Sequence, residues 1–220
     1  MEIYIAFLVL LAGLQCGQER PLVAQKPHPA KWELASGVVE ALRQEHRGGS
    51  LIYRGRCVSE SQIVGRCFVG PPTASASLNR ALNDIKRKCP GLKWTESGDN
   101  IVRVIDTSAR ADVLSIRVKD FRLQEVANPH LALSEIWNIP EVHLFAHAHH
   151  ITFMADASGM VPPDGTYTRI SIDVHDATVA EIMDKISQSY RRVSDPSWHS
   201  VWLYRECERR GEKIVELQVM

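Results

Sequence analysis

Four of the nine histidines fall between positions 143 and 150: His143, His147, His149 and His150, in the segment EVHLFAHAHHITF (141–153). Imidazole is a favoured ligand of zinc and copper, and a structural zinc site takes about four ligands in tetrahedral reach. On a strand, the even separations of His143, His147 and His149 put these three on one face, and His150 points the other way. On a helix, His143 and His147 stand one turn apart, like the pair in H-E-x-x-H, with His150 a further turn on. That motif places its general base directly after the first His, and here Leu144 holds the position. The expected state is a half-exposed strand or loop that closes a sheet, its imidazoles bonded to backbone or water. Zinc or copper binding by the four histidines is the alternative.

Other chemistry finds less support. No G-x-S-x-G turn is present, and no cysteine sits in a recognisable nucleophile setting. Asp173, Asp176 and Asp184 crowd one strand-to-helix turn, where capping and solvated turn positions account for them. The RGGS segment at 47–50 lacks the Lys and the preceding strand of a phosphate-cradling loop. Trp198, Trp202 and Tyr204 are expected in a core or on a sheet face, with a partner-binding patch as the alternative.

Besides Cys16, the cysteines are Cys57, Cys67, Cys89 and Cys207. In an exported chain these four permit two disulfides in three connectivities, and Cys57 with Cys67, ten residues apart, is the best-placed pair. Four buried free thiols is the other reading. No C-x-x-C occurs, which argues against a zinc ribbon or a thiol redox motif.

The address comes from the N-terminus. Ile3 to Leu14 is an unbroken apolar run, the length of a signal-peptide core and too short to span a bilayer comfortably. Cleavage is expected after Gly17 or after Ala24. The leading Met1-Glu2 is acidic where a signal is ordinarily basic, which leaves a membrane-proximal anchor as the alternative. Cys16 raises lipidation, but Gln15 occupies a place where a small residue belongs. Residues 1–24 are read as a signal peptide and 25–31, rich in proline, as a linker. The expected location is periplasmic or envelope-associated.

Composition narrows the partners. Lys plus Arg and Asp plus Glu are 26 each, so the formal net charge is zero. That removes the electrostatic attraction on which non-specific nucleic-acid binding rests, and gives no argument for anionic lipid. Nucleic acid is excluded as an expected partner. The short basic runs Lys86-Arg87-Lys88 and Arg209-Arg210 read as solvated helix ends or turns.

The elements that must position these residues are short. Leu34, Val38, Val39 and Leu42 make one helical face, stopped at Gly48-Gly49, and a strand SLIYRG follows. A brief strand is expected in QIVGRCFVG (62–70). Leu78, Ala81, Leu82 and Ile85 make a second helical face, followed by strands LKW and NIVRVID joined by a turn. These two helix-to-strand segments align loosely as a duplicated unit. VLSIRVKDFRL (113–123) alternates as a half-buried strand, and HLALSEIWN is a short helix closed by Pro140. The chain after Thr166 reads β-α-β-β: YTRISIDV, a helix capped by Thr178 and Glu181, then SVWLYREC and KIVELQV. The fold class is α+β, with repeated strand–helix–strand units and helices packed on small mixed or antiparallel sheets. Residues 32–106 are read as a first part and 111–220 as a second, with one continuous domain as the alternative.

Within that last unit, ISIDVHDATVAEIMDKIS (170–187) resembles the short N-terminal domain of secretins and TonB-dependent receptors. In that family a strand of alternating apolar residues runs into a D-x-x-x-x-E-x-[ML]-D-x-[IL] helix, matched by Asp176, Glu181, Met183, Asp184 and Ile186. LSIRVKDFRLQEV (114–126) is similar to a degenerate copy, with Val118, Asp120 and Leu123 in comparable places. The clear match covers about 20 residues. The resemblance implies a small α/β sandwich that works by protein–protein contact in the cell envelope. It carries over no catalytic residue, and no barrel or pore segment accompanies the unit to suggest transport or gating. The function expected is that of a non-catalytic module binding an envelope protein; the alternative is a metal-binding protein or small metalloenzyme using the His143–His150 group.

Overall fold

The structure is a computed structural model that describes residues 32–55, 68–69, 77–97, 100–155 and 165–220. The signal, linker, Cys16, Cys57, Cys67 and most of the strand expected at 62–70 lie outside the described residues. In chain order the elements are β1 (Trp32–Glu33), α1 (Leu34–Gln44), β2 (Gly48–Arg54), β3 (Phe68–Val69), α2 (Leu78–Lys88), β4 (Leu92–Ser97) and β5 (Ile101–Asp106). After a 3-10 turn (Asp112–Ser115) come β6 (Arg117–Val126), α3 (Pro129–Trp137), α4 (Pro140–Ala148), β7 (Ile151–Ala155), β8 (Ile170–Thr178), α5 (Val179–Ser189), β9 (Val201–Arg209) and β10 (Glu212–Val219). The fold is α+β.

Six strands form one mixed sheet in the order β4-β5-β2-β9-β10-β7. Its centre is buried on both faces, which is why VWLYREC reads as a near-continuous apolar run. Period-two alternation sorts the side chains. Leu51, Tyr53, Val102, Val104, Val201 and Leu203 turn toward α1 and α2. Ile52, Trp202, Tyr204, Val215 and Leu217 turn the other way, toward α3, α4 and α5. Those three helices are covered on their far side by a two-stranded ribbon of β6 and β8 through Phe121, Leu123, Ile170 and Ile172. The layers therefore run helix, sheet, helix, ribbon.

The second part runs in two stretches, each opening with a strand of the ribbon. β6 leads through α3 and α4 to β7, and β8 leads through α5 to β9 and β10. The two leading strands pair with each other, antiparallel, with Val118 opposite Ala177 and Leu123 opposite Ile172. The two trailing ends meet in the main sheet, where β7 and β9 flank β10. The first part shares that sheet: β2 runs parallel to β9 from Gly49 opposite Val201 to Arg54 opposite Glu206.

The D-x-x-x-x-E-x-M-D-x-I pattern has a physical reading residue by residue. The Thr178 hydroxyl accepts from the Glu181 amide at 3.3 Å and the Glu181 carboxylate accepts from the Thr178 amide at 2.7 Å, a complete capping box. Those bonds hold the Glu181 carboxyl below its ordinary range. Met183 and Ile186 are fully buried core residues. Asp184 faces the sheet, accepting from Trp202 Nε1 at 2.8 Å and pairing with Arg103. It is a docking residue and not the solvated turn position expected for it.

Further expectations are corrected. The histidines lie on a helix and the turn after it, and only the end of the segment, Ile151–Phe153, is strand, in β7 at the sheet edge: Pro140 opens α4 at its first turn, where its missing N–H costs nothing, and Val142 and Ala146 lie one turn apart in the core. Gly48 and Gly49 do not stop α1, which ends at Gln44; they begin β2. Leu114 and Ile116 precede the strand in and just after the 3-10 turn, and inside β6 the buried positions change parity from Val118 to Phe121 and Leu123. The β9–β10 hairpin turns at Arg210-Gly211, with φ values of 53° and 82° that define a primed turn for which the glycine is suited.

Candidate functional site

The structure separates the four histidines. His143 and His147 stand one turn apart on the exposed face of α4; His149 caps the helix, and His150 follows with φ 51°. His150 therefore leaves the helical face on which His143 and His147 sit. The His149 ring packs on Phe145, centroids 4.1 Å apart. Among the described residues no group of three or more His, Cys, Asp or Glu side chains is placed to hold a metal ion.

Cys89 and Cys207 are each disulfide-bonded, so neither is a free thiol. Cys89 belongs to the core between α1, α2 and the sheet, while Cys207 packs with Ile214 and Met154 in a separate cluster. Both are buried.

One small cleft, about 40 Å³, opens where β2, β5 and β9 begin. It has room for two or three water molecules. Gly48, Gly49, Asn100, Asp184, Arg191 and His199 are among its lining. Parallel α/β sheets ordinarily bind ligands at the carboxyl ends of their strands, and this cleft lies at the opposite end. Its hydroxyls are committed internally. Ser187 Oγ donates to the Ser200 carbonyl at 2.9 Å and Ser200 Oγ donates to the Ser187 carbonyl at 2.7 Å, which fastens the end of α5 to the start of β9. Burial raises the Asp184 carboxyl against the opposing pull of Arg103 and Trp202. The arrangement is a stitch between elements; neither serine bonds an imidazole among the described residues.

His199, in the same cleft as Asp184, also has a pH consequence. Desolvation, then Arg191 and His46, hold its imidazole below the usual value of about 6.5. The neutral ring is the form the fold favours. Unfolding below about pH 6.5 therefore takes up a proton, and the stability His199 contributes above that value is lost as pH falls through its folded-state pKa. Thermal melts from pH 7.5 to 5 are expected to decline less steeply in His199→Asn than in the wild type. Equal slopes would refute that role.

A second polar cluster was not legible in the sequence. Glu206 and Glu216, one on each strand of the β9–β10 hairpin, are buried at 5% and 3% exposure. Glu206 accepts from the Arg110 amide at 3.1 Å, the Ala111 amide at 2.7 Å and the Tyr204 hydroxyl at 3.0 Å. Ala111 sits at φ 54°, a left-handed conformation unfavourable for alanine, and the bonded carboxylate holds the loop there. Burial and the facing Glu206 raise the Tyr204 hydroxyl, so it stays a donor. Glu216 pairs with Arg205 across the hairpin. These charges hold backbone and one another.

Comparison with family models, with curated proteins and with solved structures finds no match to this chain.

Proposed function

We propose that this chain is an exported, non-catalytic binding module of the cell envelope that engages a protein partner. The observation that carries the reading is the second part of the fold. There α3, α4 and α5 are enclosed between the β6–β8 ribbon and the β7–β10–β9 strands. We read this arrangement as the small α/β sandwich that the resemblance to the secretin and TonB-receptor domain implies. The buried, disulfide-bonded Cys89 and Cys207 support an oxidising compartment, in line with the apolar run Ile3 to Leu14. No helix of the described residues is long and apolar enough to cross a membrane.

The test is fractionation of cells producing the full chain, with alkylation before and after reduction. Recovery in the envelope or periplasm is expected, with Cys89 and Cys207 alkylated only after reduction, and crosslinking is expected to capture a stable envelope protein. A cytosolic protein with freely reacting Cys89 and Cys207, and no captured partner, would sink the proposal.

The exposed i, i+4 pair His143 and His147 keeps a second reading, zinc or copper binding, within reach of experiment. A pair supplies two of the roughly four ligands a structural zinc takes. A metal-induced thermal shift lost in His147→Ala would favour it; no shift in the wild type would dismiss it.

A further inference from the structure

The end of the molecule where α1 stops and the segment after α5 crosses carries donors with nothing to donate to. Arg43 Nε, in the last turn of α1, Arg192 Nε and Trp198 Nε1 are all buried atoms without a hydrogen-bond partner among the described residues. Trp198 is 8% exposed. Arg192 lies over the Trp198 ring, its Cζ 4.7 Å from the centroid. Tyr167 packs against the same ring at 5.5 Å and bridges Arg192 through the backbone. Stacking fixes the guanidinium plane and leaves its edge N–H groups free to donate.

The neighbouring polar groups are otherwise occupied. Arg191 donates to the Gln188 and Tyr190 carbonyls at 2.5 and 2.7 Å. Glu40 accepts from Gln44 at 3.3 Å. Asp195 accepts from the Ser197 hydroxyl at 2.6 Å and amide at 3.1 Å. Arg43 is held below the ordinary arginine value by burial first and by Arg192 second, which places two cations in each other's field in a partly dry site. An unpartnered buried donor is destabilising, a charged one more so, and an anion between the guanidinium groups would satisfy both.

We propose that Arg43, Arg192 and Trp198 form a binding site for a carboxylate presented by a protein chain, an acidic side chain or a C-terminus. The donors are the right kind for an oxyanion: two guanidinium groups and an indole N–H, beside an aromatic surface. The helix ends nearby are the C-termini of α1 and α5, whose partial negative charge opposes any anion and opposes a phosphate dianion more than a carboxylate. The site needs only the observed donors; that the carboxylate belongs to a protein rests on the binding-module reading above.

The test is titration of the full, oxidised chain with three probes: sodium acetate, inorganic phosphate, and a short acidic peptide with a free C-terminus beside its neutral, amidated counterpart. The acidic peptide is expected to bind and raise the melting temperature, and its neutral counterpart to do neither. Arg192→Gln, and Trp198→Phe, which keeps the ring and removes the N–H, are each expected to weaken the acidic peptide about tenfold or more. Folding of both variants is checked by circular dichroism. Equal binding by wild type and Arg192→Gln, or no response of the wild type to either carboxylate probe, overturns the site. Tighter binding of phosphate than of either carboxylate overturns the ligand assignment. Crosslinking separates this inference from the broader reading. A partner captured equally by wild type and Arg192→Gln defeats the carboxylate site and leaves the module standing. Carboxylate binding without any captured partner keeps the site and defeats the protein source.

Discussion

Glu216→Ala is expected to cost about 3–5 kcal/mol of folding stability, among the largest effects of any single substitution in this chain. Glu216 is 3% exposed and pairs with Arg205 across the β9–β10 hairpin. The Arg205 guanidinium also lies 6.0 Å from the Tyr53 ring, against the same sheet face. Truncating Glu216 leaves that cation buried with its counter-charge gone, and the desolvation cost is then uncompensated. The paired replacement Arg205→Met with Glu216→Leu removes both charges and fills the volume, so it is expected to recover most of the loss. Urea unfolding of the oxidised protein measures both. A loss under about 1 kcal/mol for Glu216→Ala would show that the pair is not buried as described.

Gly49→Ala is the second. Gly49 pairs with Val102 of β5 on one side and Val201 of β9 on the other, at the centre of the sheet. A Cβ there would overlap the Val102 carbonyl oxygen, which is backbone, and press on the Leu42 side chain at 3.1 Å. Neither obstacle is the end of a flexible side chain in open space, so β2 and β5 must separate or α1 must lift. The cost is expected to be on the order of 3 kcal/mol, a drop in melting temperature of about 6–12 °C for a chain of this size. Gly48→Ala is the control: its Cβ meets His199 and Ser200 only at ordinary contact distances. Equal melting of the two variants would contradict the close approach at Gly49.

Gly49 also shows how local signals mislead. Two adjacent glycines after an amphipathic helix read as a stop, because glycine commonly follows a helix end. Here they start a central strand, and the demand for glycine comes from a neighbouring strand more than fifty residues away. The histidine segment shows the same limit. Pro140 after HLALSEIWN has the form of a helix stop, but it opens α4, since proline is compatible with both positions and only packing of Val142 and Ala146 decides between them. The spacing of imidazoles was visible from the start; whether a third ligand joins them depends on what the fold brings near.

By itself the sequence determined what depends on neighbours a few residues apart. Helical faces such as Leu34, Val38, Val39 and Leu42 or Ile182, Met183 and Ile186 are buried as their 3.6-residue spacing requires. The Thr178–Glu181 capping box, the alternation in β8 and the α+β class follow from equally local rules. The tertiary structure decided what depends on long-range pairing. It joined β2 to β9, covered the helices with the β6–β8 ribbon, buried Glu206 and Glu216 at positions where an alternating strand would leave charges in water, and gathered Arg43, Arg192 and Trp198 from opposite ends of the chain. Charge patterns carry no record of which distant backbone or cation will satisfy them, so those sites become legible only when the sheet order is known.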